Sequence, residues 1–270
     1  MVKLLRIALS ALVLSALTVG SAVVLPDVAI AKTKKKAAKK STKSKKGGKS
    51  SKGKKGRKAA PAKPVNWAER LGTTVEGGIR IGNPDADVKL VEFGSLSCSH
   101  CKDFHAAALP VLKSKYLRAG KLSYEFRSFV RNGADYATSL LLQCVDARPG
   151  LDLVNTFFTQ QDRWTQNYAS LTAEDMAQVN AVPEADRPAK MAELAKLPGF
   201  VAPRGFPRSR YDACLASKPA QDRLMAIRAE AINVYKLEGT PTFVLNGRTV
   251  TGVYDWSSLE PRIVAALADN

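Results

Sequence analysis

Cys98-Ser99-His100-Cys101 sets two thiols two residues apart, after an apolar run over residues 88–93 and before a stretch with helical spacing. At that spacing the sulfurs can close on each other as a disulfide. The first also sits where the partial positive charge of a helix N-terminus favours a thiolate. A thiolate attacks disulfides and leaves from them easily, so the chemistry this placement suits is redox exchange of thiols. A zinc site would be short of a ligand: Cys98, Cys101 and His105 are plausibly placed, but Cys144 and Cys214 are single cysteines far along the chain. Haem attachment needs a histidine directly after the second cysteine, where Lys102 stands. An inert structural disulfide is a poor use of the spacing, because a two-residue loop constrains almost nothing in the unfolded chain. Neither a metal nor a cofactor is expected.

The elements that must hold this pair follow from periodicity. Residues 88–93 suit a buried strand, and Phe104, Ala108, Val111 and Leu112 recur as one face of a helix over residues 99–117, kinked at Pro110. Leu122, Tyr124 and Phe126 alternate with Ser123, Glu125 and Arg127, the period of a second strand. A strand, a helix and a strand of this length form a right-handed crossover with parallel strands. Upstream, residues 66–71 start a short helix and residues 73–75 and 79–81 form a hairpin across Gly77-Gly78. Between residues 132 and 237 no strand is expected. Helical spacing covers 134–147, 151–161, 172–180, 187–197, 210–216 and 220–237, with breaks at Pro149-Gly150, Pro183 and residues 198–207. Gly239-Thr240-Pro241 then precedes a strand over 242–245, the hairpin signal Asn246-Gly247 and a strand over 248–251. Ser257 and Glu260 resemble a capping box opening a last helix, with Ile263, Val264 and Leu267 as its buried stripe.

The compartment is legible at the N-terminus. Lys3 and Arg6 precede an uncharged run over residues 7–25, and Ala29-Ile30-Ala31 supplies a small-x-small cleavage signal, so residues 1–31 read as a signal peptide. The run is also long enough to remain as an uncleaved anchor. In either case the remainder leaves the cytoplasm, into a periplasmic or otherwise extracytoplasmic space where disulfides persist. There Cys144 and Cys214 are expected to pair as a structural bridge, a second redox pair being the alternative. The formal charge of +18 is local: residues 32–64 hold 16 Lys and Arg with no acidic residue, whereas residues 65–270 hold 24 basic and 23 acidic side chains. That tract cannot bury a core and is expected to be a disordered linker. It serves either as a tether to anionic envelope surfaces such as phospholipid headgroups or as a solvated spacer. Nucleic-acid binding is not expected of an exported chain.

Taken in order, the strand before Cys98-Ser99-His100-Cys101 and the Gly239-Thr240-Pro241 turn before a strand and hairpin resemble the thioredoxin fold. The inserted helices make the chain similar to the DsbA-type thiol:disulfide oxidoreductases of bacterial envelopes. The resemblance covers about residues 73–268. It implies an α/β thioredoxin-like fold with an inserted helical subdomain: residues 65–131 and 219–270 as the thioredoxin-like domain, 132–218 as the insertion. It further implies that Cys98 is the exchanging sulfur, Cys101 the buried resolving one, and His100 a side chain that helps stabilise the Cys98 thiolate. Pro241 matches the family's cis-proline, facing the disulfide, and the Thr240 backbone is the edge that pairs with an extended substrate. Glu92 falls where relatives carry a buried carboxylate that relays the proton of Cys101. Its alternative is a strand residue facing solvent. No lysine stands on the 121–130 strand to pair with Glu92, and Arg127 is the candidate in its place. The implied activity is donation of a disulfide to reduced exported proteins by a monomer, with reoxidation by a quinone-linked membrane partner. The rival readings are a disulfide isomerase or reductase, and a non-catalytic envelope-binding protein held by its basic tail. Envelope isomerases of this fold carry a folded dimerisation domain where this chain has its lysine tract, which weighs against the first rival.

Overall fold

The computed structural model describes residues 65–269; the expected signal peptide (1–31) and lysine-rich linker (32–64) lie outside the described residues. A short hairpin, β1 (Leu71–Thr73) and β2 (Ile79–Gly82), leads into β3 (Val88–Gly94), α1 (Ser99–Val111) and β4 (Leu122–Ser128). Eight helices follow: α2 (Gly133–Leu142), α3 (Ala147–Thr159), α4 (Gln161–Ala169), α5 (Ala173–Ala181), α6 (Arg187–Leu194), α7 (Leu197–Val201), α8 (Arg208–Leu215) and α9 (Lys218–Asn233). The described chain closes with β5 (Thr242–Leu245), β6 (Arg248–Thr249) and α10 (Trp256–Ala268). The strands form one six-stranded sheet in the order β1-β2-β4-β3-β5-β6. β3 and β4 are parallel, as a crossover through α1 requires, and every other neighbouring pair is antiparallel.

Strand period divides this sheet into two faces. One carries Leu90, Tyr124, Phe126 and Phe243 into the larger core, against Phe104 and Phe158. Each such aromatic, fully buried, contributes about 1.5–3 kcal/mol. The other face joins Phe93, Phe129 and Val244 to Ile227 and Ala231 of α9. The alternation in β4 therefore does not mark an exposed face, because all seven of its residues are buried. Arg127 is held between Glu125 (2.7 Å) and Glu230 of α9 (2.5 Å), with Glu76 at 3.6 Å, and the Thr74 hydroxyl donates to Glu125 at 2.8 Å. Mutual pairing lets these charges lie under a helix.

Several local expectations shift. After Pro110, which has no amide hydrogen to donate, α1 passes into a π turn at Leu112–Tyr116, closed by the Leu117 amide donating to the Leu112 carbonyl at 2.9 Å. Pro149-Gly150 does not break the chain but lies in the first turn of α3, where a proline's missing donor has no intrahelical role. Asp255 caps α10, accepting from the Ser258 amide at 2.8 Å, in place of the expected Ser257 and Glu260 box. Glu260 instead accepts from Tyr116 at 2.5 Å. The buried stripe of α10 is Leu259 and Ile263, while Val264 is 48% exposed. Asn246 and Gly247, both at positive φ (48° and 79°), make the tight hairpin between β5 and β6. The Asn246 side chain also accepts from the Lys89 amide at 2.8 Å, tying that hairpin to β3.

Cys144 and Cys214 are joined, with an S–S distance of 2.01 Å across a sequence separation of 70. Closing a loop of that length removes denatured-state entropy worth about 4 kcal/mol in the chain-entropy model. The double variant Cys144→Ala/Cys214→Ala should lose about that much unfolding free energy in urea. An unchanged midpoint would show that the bridge leaves stability untouched.

Candidate active site

Cys98 is the N-cap of α1, with extended backbone (φ −87°, ψ 123°). Its amide donates to the Ser95 carbonyl at 3.1 Å, and its own carbonyl accepts the first helical bond from the Lys102 amide at 3.1 Å. The turn that delivers it begins at Gly94. A Cβ there would lie 2.6 Å from the Phe126 ring and 2.7 Å from a Glu92 carboxyl oxygen, so a glycine is what lets the chain pass over that carboxyl.

Both thiols are free and buried. The Cys98 thiol donates to the Thr240 carbonyl at 3.3 Å, immediately before the cis Thr240-Pro241 bond. The Cys98 thiol is lowered to about 5, first by the neighbouring Cys101 thiol and, against the opposing effect of burial, by Thr240, the Cys101 backbone and the Arg131 charge. Cys101 moves the other way. Burial pushes it well above the ordinary thiol range, and its bond to Cys98 and the charge of Glu92 add to that. The pair is thus split into one sulfur suited to carry charge and one suited to keep its proton.

Glu92 is fully buried, not solvent-facing, and burial pushes its carboxyl up to about 8. The Tyr124 hydroxyl donates to one of its oxygens at 2.5 Å, and the other oxygen has no partner. Arg127 is not its partner. Glu92 lies on the face it shares with Leu90, whereas Arg127, three residues from Tyr124, projects to the opposite face and its carboxylates. His100 occupies the first turn of α1 and is exposed, and the groups that lower Cys98 do not include it.

Three supporting side chains escaped sequence reasoning. Tyr124 was within reach, since counting residues of one parity along β4 puts it on the face of Glu92. Asp135, fully buried at the start of α2, accepts from the Ser95 hydroxyl (2.9 Å) and from the amides of Ser97 (2.9 Å) and Arg131 (3.1 Å). Gln161, buried at the start of α4, donates to the carbonyls of Leu96 (2.8 Å) and Cys98 (2.9 Å). Neither residue has a motif that announces it.

A strand-crossover-strand unit with Cys-x-x-Cys at its helix start and a cis-proline turn opposite defines a class. The family model described as Thioredoxin matches residues 74–264, and this chain belongs to that family. Among solved structures, the chain is similar to a protein-disulfide isomerase from Novosphingobium aromaticivorans, with 34% identity, a TM-score of 0.66, and coverage of 71% of this chain and 97% of that one. It shares its fold with alpha-DsbA1 of Wolbachia pipientis, at 20% identity and a TM-score of 0.56, covering 73% and 94% of the two chains. A Rickettsia felis protein provisionally named a protein-disulfide oxidoreductase is 28% identical over 192 residues. That match covers 70% of this chain and 60% of the relative, so this chain spans about three fifths of the curated relatives it matches first.

A carboxyl raised on folding stabilises the protein below its unfolded pKa, and that contribution is lost as pH rises through the folded value. In the oxidised protein, where neither active-site cysteine titrates, stability should therefore fall between about pH 4.5 and 8. Glu92→Gln should remove this fall, a difference on the order of 3–5 kcal/mol at the alkaline end. Urea midpoints across that range check it, and identical pH profiles for the two proteins would mean that Glu92 ionises normally.

Proposed function

We propose that this chain is an exported thiol:disulfide oxidoreductase that donates the Cys98-Cys101 disulfide to reduced proteins. The observation that carries the reading is the environment of Cys98, a sulfur at a helix start with a pKa lowered to about 5 and in contact with Thr240. Oxidising power follows when the reduced form of a dithiol is stabilised, and a stable thiolate stabilises it.

In the first step a substrate thiolate attacks Cys98. The Cys98–Cys101 bond breaks, a mixed disulfide forms, and Cys101 leaves with the electron pair. Cys101 takes up a proton, for which the Glu92 carboxyl, at about 8, is the buried donor. A second substrate thiolate then attacks the substrate sulfur of the mixed disulfide and expels Cys98 as its stabilised thiolate. Two substrate thiols are oxidised to one disulfide while the enzyme pair is reduced to thiol and thiolate. Thr240, on the turn before β5, offers backbone to an extended substrate segment. Reoxidation passes to a quinone-linked membrane partner, and residues 32–64 hold the protein near anionic envelope surfaces.

The Novosphingobium relative supports a second reading, isomerisation of wrong disulfides, in which the reduced pair is the working form. Substrate choice separates the two. Oxidised protein should form disulfides in a reduced, unfolded polypeptide stoichiometrically, whereas an isomerase would chiefly rescue a scrambled one. Cys98→Ser should abolish transfer, and Cys101→Ser should accumulate mixed disulfides visible on non-reducing gels. Undiminished function in Cys98→Ser would leave only a non-catalytic binding role.

A further inference from the structure

Besides the charged Asp135 of α2, the inserted helices grip the active-site turn through an uncharged side chain, Gln161. Gln161 opens α4 and is 4% exposed. Its amide nitrogen spends both hydrogens on the active-site turn, one on the carbonyl of Leu96 at 2.8 Å and one on that of Cys98 at 2.9 Å. The Cys98 carbonyl already accepts from the Lys102 amide, so Gln161 fills its second lone pair and fixes the direction in which that carbonyl points. That direction is set by the ψ angle of the N-cap, and ψ in turn sets how the open end of α1 lies relative to the sulfur. Neighbouring contacts brace α4 in place: Lys102 of α1 pairs with Asp162 at 3.1 Å, and Arg204 donates to the Gln160 side chain at 3.0 Å.

We propose that Gln161 is a positioning residue for disulfide donation, a two-pronged amide by which the helical insertion holds Cys98 in its N-cap geometry. This inference rests on the oxidant reading above. Being neutral, the amide orients the turn without adding a charge that would itself shift the thiol. Its nearest isostere behaves oppositely. A glutamate in the same place would present acceptor oxygens to two carbonyl oxygens, a contact that costs rather than stabilises at neutral pH.

The test compares wild type with Gln161→Met, which keeps length and packing but has no donor, and with Gln161→Glu. Cys98 is titrated by its rate of alkylation against pH, and the Cys98-Cys101 couple is equilibrated with glutathione. Gln161→Met should raise the Cys98 pKa by about one unit, and the equilibrium constant should shift about tenfold toward the disulfide, equal to about 30 mV for a two-electron couple. Gln161→Glu should shift both further at neutral pH and return toward the Met values in acid, where its carboxyl is protonated. A Met variant with wild-type titration and equilibrium overturns the proposal, whatever its melting temperature. A wild-type Cys98 that titrates as an ordinary thiol overturns the oxidant reading itself and this inference with it.

Discussion

The stabilisation of a thiolate on Cys98 at the open end of α1 is the interaction on which the rest of the site depends. Cys101 favours it from the helix, Thr240 from the turn before β5, and the Arg131 charge from the loop before α2. These groups come from three different parts of the chain. The sheet must therefore align β3 with β5, and the helical block must press on the turn at 95–98, before that sulfur can hold charge. Asp135 and Gln161 show how this is done, by gripping backbone groups of the turn and leaving the sulfurs to one another.

The sheet keeps two buried carboxylates in opposite conditions, and its two faces are the reason. Glu125 sits on the face covered by α9, where Arg127 neutralises it and the Thr74 hydroxyl donates to it. Glu92 sits on the other face with a tyrosine for company and one bare oxygen. Paired, a buried carboxylate is structural. Without a charged partner, it resists ionisation, and burial holds the Glu92 carboxyl at about 8.

Much of this was legible in the residues. The apolar run into Cys98-Ser99-His100-Cys101 and the Asn246-Gly247 turn are local signals with local causes, and β3, α1 and the β5–β6 hairpin lie where they point. Tertiary contact decided what was not legible. Arg127 was the basic residue the 121–130 strand offered to Glu92, but a strand's alternation turns it to the far face. Ser123, Glu125 and Arg127 alternate with apolar residues, yet all three are buried, with Arg127 paired to Glu230 of α9. The α4 sequence QDRWTQNYA has too few apolar positions to announce a helix, since only Gln161 and Trp164 are buried in it. Gln161 therefore became visible only when the turn it grips came into view.

The central claim is that stabilising Cys98 as an anion makes the reduced pair the more stable one. Equilibrating the full chain with mixtures of reduced and oxidised glutathione measures this directly. A reduction potential above about −180 mV, more oxidising than the glutathione poise of secretory compartments, is the predicted result. A value near about −270 mV, where the dithiol acts as a reductant, would contradict it.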